Sequence, residues 1–401
     1  MRLLLGFFLL LIVVTTSSVR AEPKSAVEQA AFAQELSEHT RQLETIRKIV
    51  LNQGDDARAL ANLVQLTRNL PPAATAQLFF DLSTDYLTRA KYNQAANVLQ
   101  QLLNQHANQP VAREAMLRLV RLYSSSEAQY TQASKSPDHN HQAASAGFAQ
   151  YALHVANTTI QQLPDAAKAE VARDPTVTFQ QSVATRLYGQ QKAALGLLTR
   201  LKRNPQAEPW RTRALSEQWL YTDRSDESPL PTISCRRAES RPHLDGVLEE
   251  PIWQSGEPIR LSYDEKFLYL AVNYPKNADV DYASDASPRS YDADLSNRDR
   301  VRIRLDVDRD YATAYDLTID HRGWTNDSCW LHTDWNPKWF VAANSTDTHW
   351  SIEAAMPLDA LVSSSPQVGE SWAIAIEHLV PNAQAATKEP RNEIFRLMLF
   401  E

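Results

Sequence analysis

The feature that most constrains this chain is a change of period near Thr232. From Ala26 to Thr222 apolar residues recur at helical spacing, glycine is nearly absent and prolines sit at segment edges. Beyond Thr232 short runs alternate apolar and polar residues, and seven of the nine tryptophans lie there. Val301, Ile303, Leu305 and Val307 alternate with Arg302, Arg304, Asp306 and Asp308, so that one face is apolar and the other charged. Tyr315, Leu317 and Ile319 repeat the pattern, as do Trp350, Ile352 and Ala354 before Pro357. Strands spaced by roughly ten residues and separated by turns predict a sandwich. A parallel α/β fold needs helices between strands, and only short turns near Glu249 and Leu358 fit there. The predicted class is therefore multidomain α + β, an N-terminal α-helical repeat-like domain followed by a C-terminal antiparallel β-sandwich.

The expected organisation is a signal peptide over 1–21, a helical domain over 22–222, a linker over 223–232 and the sandwich over 233–401. Arg2 precedes an apolar run from Leu3 to Val14, and Val19-Arg20-Ala21 offers small residues where signal peptidase needs them. The run is too short to cross a bilayer of about 30 Å. Cleavage after Ala21 is expected, giving an exported protein, periplasmic or extracellular, with no membrane span in the mature chain. The linker, DRSDESPLPT, gathers Pro, Ser and Asp where periodicity stops.

A net charge of -7 without a basic stripe argues against nucleic acid or anionic lipid as partner. The two cysteines, Cys235 and Cys329, both fall in the sandwich. An exported compartment permits them to pair, and the sequence leaves open whether they form a disulfide or two buried thiols.

In the helical half, Phe79, Leu82, Tyr86, Tyr92, Ala95, Leu99 and Leu102 describe two helices held close by a small residue at Ala95. These positions resemble a tetratricopeptide repeat, with looser copies at Met116, Leu119 and Tyr123 and at Ala194 and Leu198. The resemblance implies a protein partner docked by the helices; an irregular helical bundle uses the same spacing. Ser124 to Ala146 reads as a polar loop, and its His139 and His141 lack further fixed ligands for a metal.

Leu244-Asp245-Gly246 and Glu250-Pro251-Ile252-Trp253, followed by YDEKFLYLAVN, RDRVRIRLDVD, HWSIEAAMPLDAL and VGESWAIAIEHL, are similar to the family 9 carbohydrate-binding modules. That resemblance implies a β-sandwich and a polysaccharide or cell-surface glycan as ligand. Sugar recognition uses flat aromatic faces beside hydrogen-bonding side chains. Trp324, Trp330, Trp335 and Trp339, with Asn336 and the strand arginines Arg302 and Arg304, form the candidate surface, about two of the indoles being expected in solvent. Trp253, Trp350 and Trp372 are expected in the core. The chain departs from the family in carrying Arg302 where relatives place a carboxylate, and Ala385-Ala386-Thr387-Lys388-Glu389 where sugar-binding members place an aromatic.

Several relatives bind calcium, and the acidic groups Asp306, Asp308 and Asp310, or Asp279, Asp281, Asp285, Asp292 and Asp294, supply the hard oxygen ligands that ion takes. Solvated loop carboxylates are the competing explanation. No other cofactor is expected: Met356, Met398, His321 and His378, the candidate haem ligands, each have a packing role. No nucleophile elbow, metalloprotease helix or phosphate loop occurs, and Glu353 and Glu377 read as sheet residues facing water or a salt bridge. The expectation is a non-catalytic carbohydrate-binding protein. The alternatives are a structural or assembly scaffold whose sandwich has lost sugar binding, and an accessory module linked to glycoside hydrolysis.

Overall fold

The computed structural model of the chain describes residues 38, 41–52, 56–133, 150–154, 157–158, 160–161, 165–254, 257–282, 292–381 and 395–401. The expected signal peptide, His139, His141, Asp285 and the 385–389 loop lie outside them. Two compact units emerge, Met1–Leu66 and Thr67–Glu401. The first contains helical residues 41–51 and the helix Asp56–Leu66. Among the described residues no helix is long and apolar enough to cross a membrane.

The second unit begins with helices α1 (Pro72–Thr88), α2 (Tyr92–His106), α3 (Ala112–Ser124), α4 (Ser126–Ala133), α5 (Asp165–Val171), α6 (Pro175–Leu187), α7 (Gln191–Lys202) and α8 (Trp210–Trp219). Helices α1 and α2 pair across a turn in which Ala90 is left-handed, and Ala95 is fully buried at their contact. Phe79, Leu82, Tyr86, Leu99 and Leu102 fill the space between, as their spacing predicts. Pro175 opens α6, whose first turn is capped by Asp174 accepting the Thr176 N–H at 2.8 Å.

Helix α4 corrects the sequence reading, which made this stretch part of a loop. Buried Ser125 accepts the Ala128 N–H at 3.1 Å, so a serine run that looks like turn chemistry supplies an N-cap instead.

The strands are β1 (Thr232–Arg237), β2 (Ile259–Tyr263), β3 (Phe267–Pro275), β4 (Arg300–Asp306), β5 (Tyr315–Asp320), β6 (Thr325–Cys329), β7 (Phe340–Ser345), β8 (His349–Pro357), β9 (Ser371–Leu379) and β10 (Phe395–Phe400). They join in one sheet, β6-β5-β4-β9-β10-β1-β2-β3-β8-β7. All pairings are antiparallel except that β1 runs parallel to both β10 and β2, stitching the two halves together. The sheet curls over on itself. Tyr274 of β3 stacks on His378 of β9 with ring centroids 3.9 Å apart, although β2, β1 and β10 separate their strands in sheet order. One core fills the fold: Val301, Ile303, Leu305, Leu317 and Ile319 from one half meet Leu268, Leu270, Val272, Trp350 and Ile352 from the other.

The alternation seen in the sequence is the alternation of burial, with Arg302 and Arg304 on the face opposite Val301, Ile303 and Leu305. Trp253, Trp350 and Trp372 are buried as expected. The helices share a second core with the sheet's outer face, where Phe179, Leu198, Leu201 and Ala214 pack on Tyr311, Ala373, Ala375 and Phe395. The linker residues 223–231 are largely exposed and irregular up to the start of β1 at Thr232.

Candidate functional site

The four clustered tryptophans do not form a common platform. Trp335 and Trp339 belong to the core, at 9% and 3% exposure. Trp335 stacks on Tyr315, with centroids 4.7 Å apart, and the Trp339 indole donates to Asp327 Oδ2 at 3.3 Å. This corrects the expectation for that pair: the irregular segment from Trp335 to Trp339 carries both rings into the core instead of presenting them to solvent. Trp324 and Trp330 are half-buried. The face of Trp324 is already covered by the Arg322 guanidinium, 3.8 Å from its centre. Asn336 is exposed and donates to Asp292 Oδ2 at 3.3 Å. Arg302 is held by Asp316, its Nε lying 2.9 Å from Oδ1, and by Glu377 at 3.7 Å. Arg304 reaches Asp316 at 3.9 Å and lies over the Phe395 ring. Both arginines are half-buried members of a charged network on the sheet's outer face.

Cys235 and Cys329 are buried, free thiols in this structure. Cys329 lies beside helix α4, where Thr131 Oγ1 donates to its sulfur at 3.3 Å. Burial pushes the Cys235 thiol well above its ordinary range, with Glu401 adding to the effect.

Of the acidic groups, Asp279, Asp281, Asp292 and Asp294 are exposed. Asp306, Asp308 and Asp310 are buried, and α4 brings a fourth acid, Glu127, into their midst. Ligand oxygens of Glu127, Asp306 and Asp308 lie within 4.8 Å of one another. Sequence reasoning missed Glu127, and its signal was the Ser125 cap that makes α4 a helix. Backbone amides hold the cluster. Asp306 accepts from Asp310 and Tyr311, Asp308 from Ser126 and Asp310, and Asp310 from Ala312 and Thr313. Glu127 accepts from the Val307 N–H at 2.6 Å, tying the helical and sheet parts together. Burial first, and repulsion among the four second, raises the Glu127 and Asp306 carboxyls well above the ordinary carboxylate value. The same causes push Asp310 to about 6.

A different constellation occupies the end of the folded sheet where β1, β2, β4, β8 and β10 begin and β3 and β9 finish. Its centre is the buried Asp299. His378 Nε2 lies 2.7 Å from Asp299 Oδ1, while the Trp350 indole, at 3.0 Å, and the Tyr282 hydroxyl donate to Oδ2. Burial alone would raise this carboxyl; the hydrogen bonds from His378, Tyr282 and Trp350 outweigh it and hold it below the usual carboxylate value. The carboxylate thus fixes His378, and His378 supports the Tyr274 ring.

Tyr274 faces a groove of about 1050 Å³. Its walls are Ile233, Ile376 and Ile259, polar groups of Thr232, Ser234, Ser262 and Gln254, and the arginines Arg236, Arg260 and Arg396. The 238–254 segment lies along its rim and is pinned by Glu353 of β8. Glu353 is fully buried and accepts the Trp253 indole at 2.7 Å and the Asp245 and Gly246 N–H groups at 3.0 and 2.8 Å. This corrects its reading as a water-facing residue; Glu377 does carry the expected salt bridge, to Arg302. The Leu-Asp-Gly and Pro-x-Trp signatures are therefore two ends of one anchor. The chemistry this end offers is binding: an aromatic face, apolar walls, hydroxyls and guanidinium groups.

No family model matches the chain, and no curated protein matches it. Among solved structures it is similar to a crystal structure of a proposed carbohydrate-binding protein from Bacteroides uniformis, with 12% identity over 43% of this chain and 99% of that one, at a TM-score of 0.30. A superposition at that level carries neither a site nor a ligand across.

Proposed function

We propose that this chain is a non-catalytic carbohydrate-binding protein whose ligand lies in the groove beside Tyr274, not on the clustered tryptophans. One observation carries the reading: Tyr274 is a half-buried ring, stacked on an imidazole that a buried carboxylate holds in place, and it lines a groove rich in hydroxyl, amide and guanidinium groups. An aromatic face so braced is preorganised for the C–H side of a pyranose, with polar neighbours for its hydroxyls. Among the described residues the Tyr274 hydroxyl has no hydrogen-bond partner. The likeness of the Leu-Asp-Gly and Pro-x-Trp anchor to family 9 carbohydrate-binding modules agrees with this reading, and export from the cytoplasm belongs to the same proposal.

Isothermal titration of the full chain with a panel of oligosaccharides tests it. Binding by at least one glycan is expected, weakened tenfold or more in Tyr274→Ala and unchanged in Trp324→Ala. Equal binding by Tyr274→Ala, or no glycan bound at all, rejects the groove as a sugar site.

The burial of Trp335 and Trp339 favours a second reading, an assembly scaffold whose sandwich keeps the fold without the sugar site and whose helices dock a protein partner. Glycan titrations without heat, together with a protein captured in a manner dependent on the helical residues, distinguish it.

A further inference from the structure

Resting on the glycan reading, we infer that the groove selects a saccharide bearing a carboxylate, of the uronic acid class, and that Arg396 and Arg260 recognise the acid group. The argument starts from which guanidinium groups already have partners. Elsewhere in the folded sheet arginines are answered: Arg241 by Asp264, Arg302 by Asp316, Arg309 by Glu217 and Arg322 by Asp320. In the groove, Arg236 faces Glu401 at 3.7 Å and Arg237 is paired with Glu265. Arg396 and Arg260 differ. Neither has a side-chain hydrogen bond or close ion pair among the described residues, Arg260 having only Glu257 acting on it electrostatically, and both line the same groove.

Arg396 is exposed and lines the groove together with Tyr274, whose hydroxyl is pushed up by burial while the Arg396 charge acts in the opposite sense. Arg260 is half-buried, and its Nε is buried with no hydrogen-bond partner. A donor on a charged group withdrawn from water costs free energy unless something accepts from it. A carboxylate matches the guanidinium fork with two parallel hydrogen bonds, and neutral hydroxyls do not.

The groove also carries Glu239, Glu250 and Glu257, so it is not a broadly positive surface. With an overall charge of -7, long-range attraction cannot select an anion. Selection rests instead on local geometry: a carboxylate on a guanidinium, the sugar ring on Tyr274, and a ligand hydroxyl donating to Glu250, whose Oε2 is buried and unpartnered.

The test is titration of the full chain with two matched series, neutral xylo- or cello-oligosaccharides and oligogalacturonates of the same length. Oligogalacturonate is expected to bind at least tenfold more tightly than its neutral counterpart. Arg396→Gln is expected to lose roughly tenfold or more toward the acidic series and a clearly smaller factor toward the neutral series, so that the preference between the two collapses. Because Arg396 is exposed and has no ion pair among the described residues, the variant should keep its melting temperature, and Arg260→Gln gives a second, independent reading. Equal or tighter binding of the neutral series overturns this inference and leaves the glycan site standing. Failure of both series overturns this inference, and the sugar site falls with it only when the whole oligosaccharide panel is also silent.

Discussion

The indole of Trp253 donates to Glu353 Oε1 at 2.7 Å, across 100 residues of sequence, at a point where Glu353 is fully buried. The second oxygen takes the Asp245 and Gly246 amides, so this one side chain satisfies three donors, of which the Trp253 indole and the Gly246 amide are buried. Removing the acceptor strands all three. Glu353→Ala is expected to cost about 2–4 kcal/mol in urea unfolding, because unmet buried donors lose their full hydration. Glu353→Gln keeps a carbonyl acceptor and should cost less.

Gly246 sits at the same anchor with φ of +84°, and a Cβ there would lie 2.7 Å from backbone atoms of Ala343 and Asn344. Two penalties therefore combine: left-handed strain of about 1 kcal/mol and a clash with a strand that cannot swing aside. Gly246→Ala should lower the melting temperature by several degrees, and should loosen the groove rim more than the helices. Hydrogen exchange over 238–254 measures that difference.

The parts of this architecture legible in the sequence are those set by side-chain periodicity. The alternation of Val301, Ile303 and Leu305 with Arg302 and Arg304 fixed which face of β4 is buried, and Phe79, Ala95 and Leu99 marked a helix pair, because burial follows the period of the backbone. Residues joined only by the curl of the sheet were invisible. Nothing in the sequence brings Tyr274 to His378, or Asp299 to Trp350, since these contacts arise from two halves of a sheet closing over each other. The tryptophans misled for a related reason. Indoles alternating with polar residues have the same pattern whether they stack on a ligand or, like Trp335 on Tyr315, plug the end of a core. Glu127 was hidden by the serines before it, which serve equally in a loop and as a helix cap.

The unbridged cysteines give a test by chemistry alone. Cys235 and Cys329 are at most 1% exposed, and burial raises the Cys235 thiol, leaving little reactive thiolate at neutral pH. The folded chain should react slowly with a thiol reagent such as Ellman's and release two equivalents on unfolding without reductant. No equivalent in denaturant, rising to two only after reductant, would point to a disulfide.

At the binding end, Asp299 acts through His378. Asp299→Asn retains an oxygen that can accept one hydrogen bond but loses the charge, so His378 and Tyr274 should be less firmly held. The expected result is a several-fold loss in glycan affinity, with Tyr274 ring resonances broadened in NMR spectra. The folded carboxyl lies below its ordinary value, so its stabilising contribution is present above the unfolded pKa of about 4 and is lost as pH falls through the folded value.

The acids at the helix–sheet junction carry the opposite sign. Glu127, Asp306 and Asp310 are raised by burial and then by repulsion from their acidic neighbours, with Asp310 at about 6, and Asp308 is raised by burial against the pull of its hydrogen bonds and Arg186. The folded chain therefore holds protons there that the unfolded chain has released. Stability should rise as pH falls from above 6 toward about 4, and the penalty is fully present above the folded value. For Asp310 the effect is on the order of 1–3 kcal/mol. Asp310→Asn keeps an acceptor for the Ala312 and Thr313 amides and removes a charge, so it should flatten that rise and stabilise the chain at pH 8. Arg186 and Arg121 bear on the cluster from α6 and α3, and Arg309 is engaged by Glu217 of α8, so none of these cations neutralises all four acids. Calcium supplies the competing outcome. Glu127, Asp306 and Asp308 have the oxygen chemistry for it, and a melting temperature at pH 8 that climbs with millimolar calcium and falls back with chelator would put an ion in place of the shared proton. Melting curves at pH 5, 6.5 and 8, with and without calcium, for the parent chain and Asp310→Asn, separate proton from metal in one set of measurements.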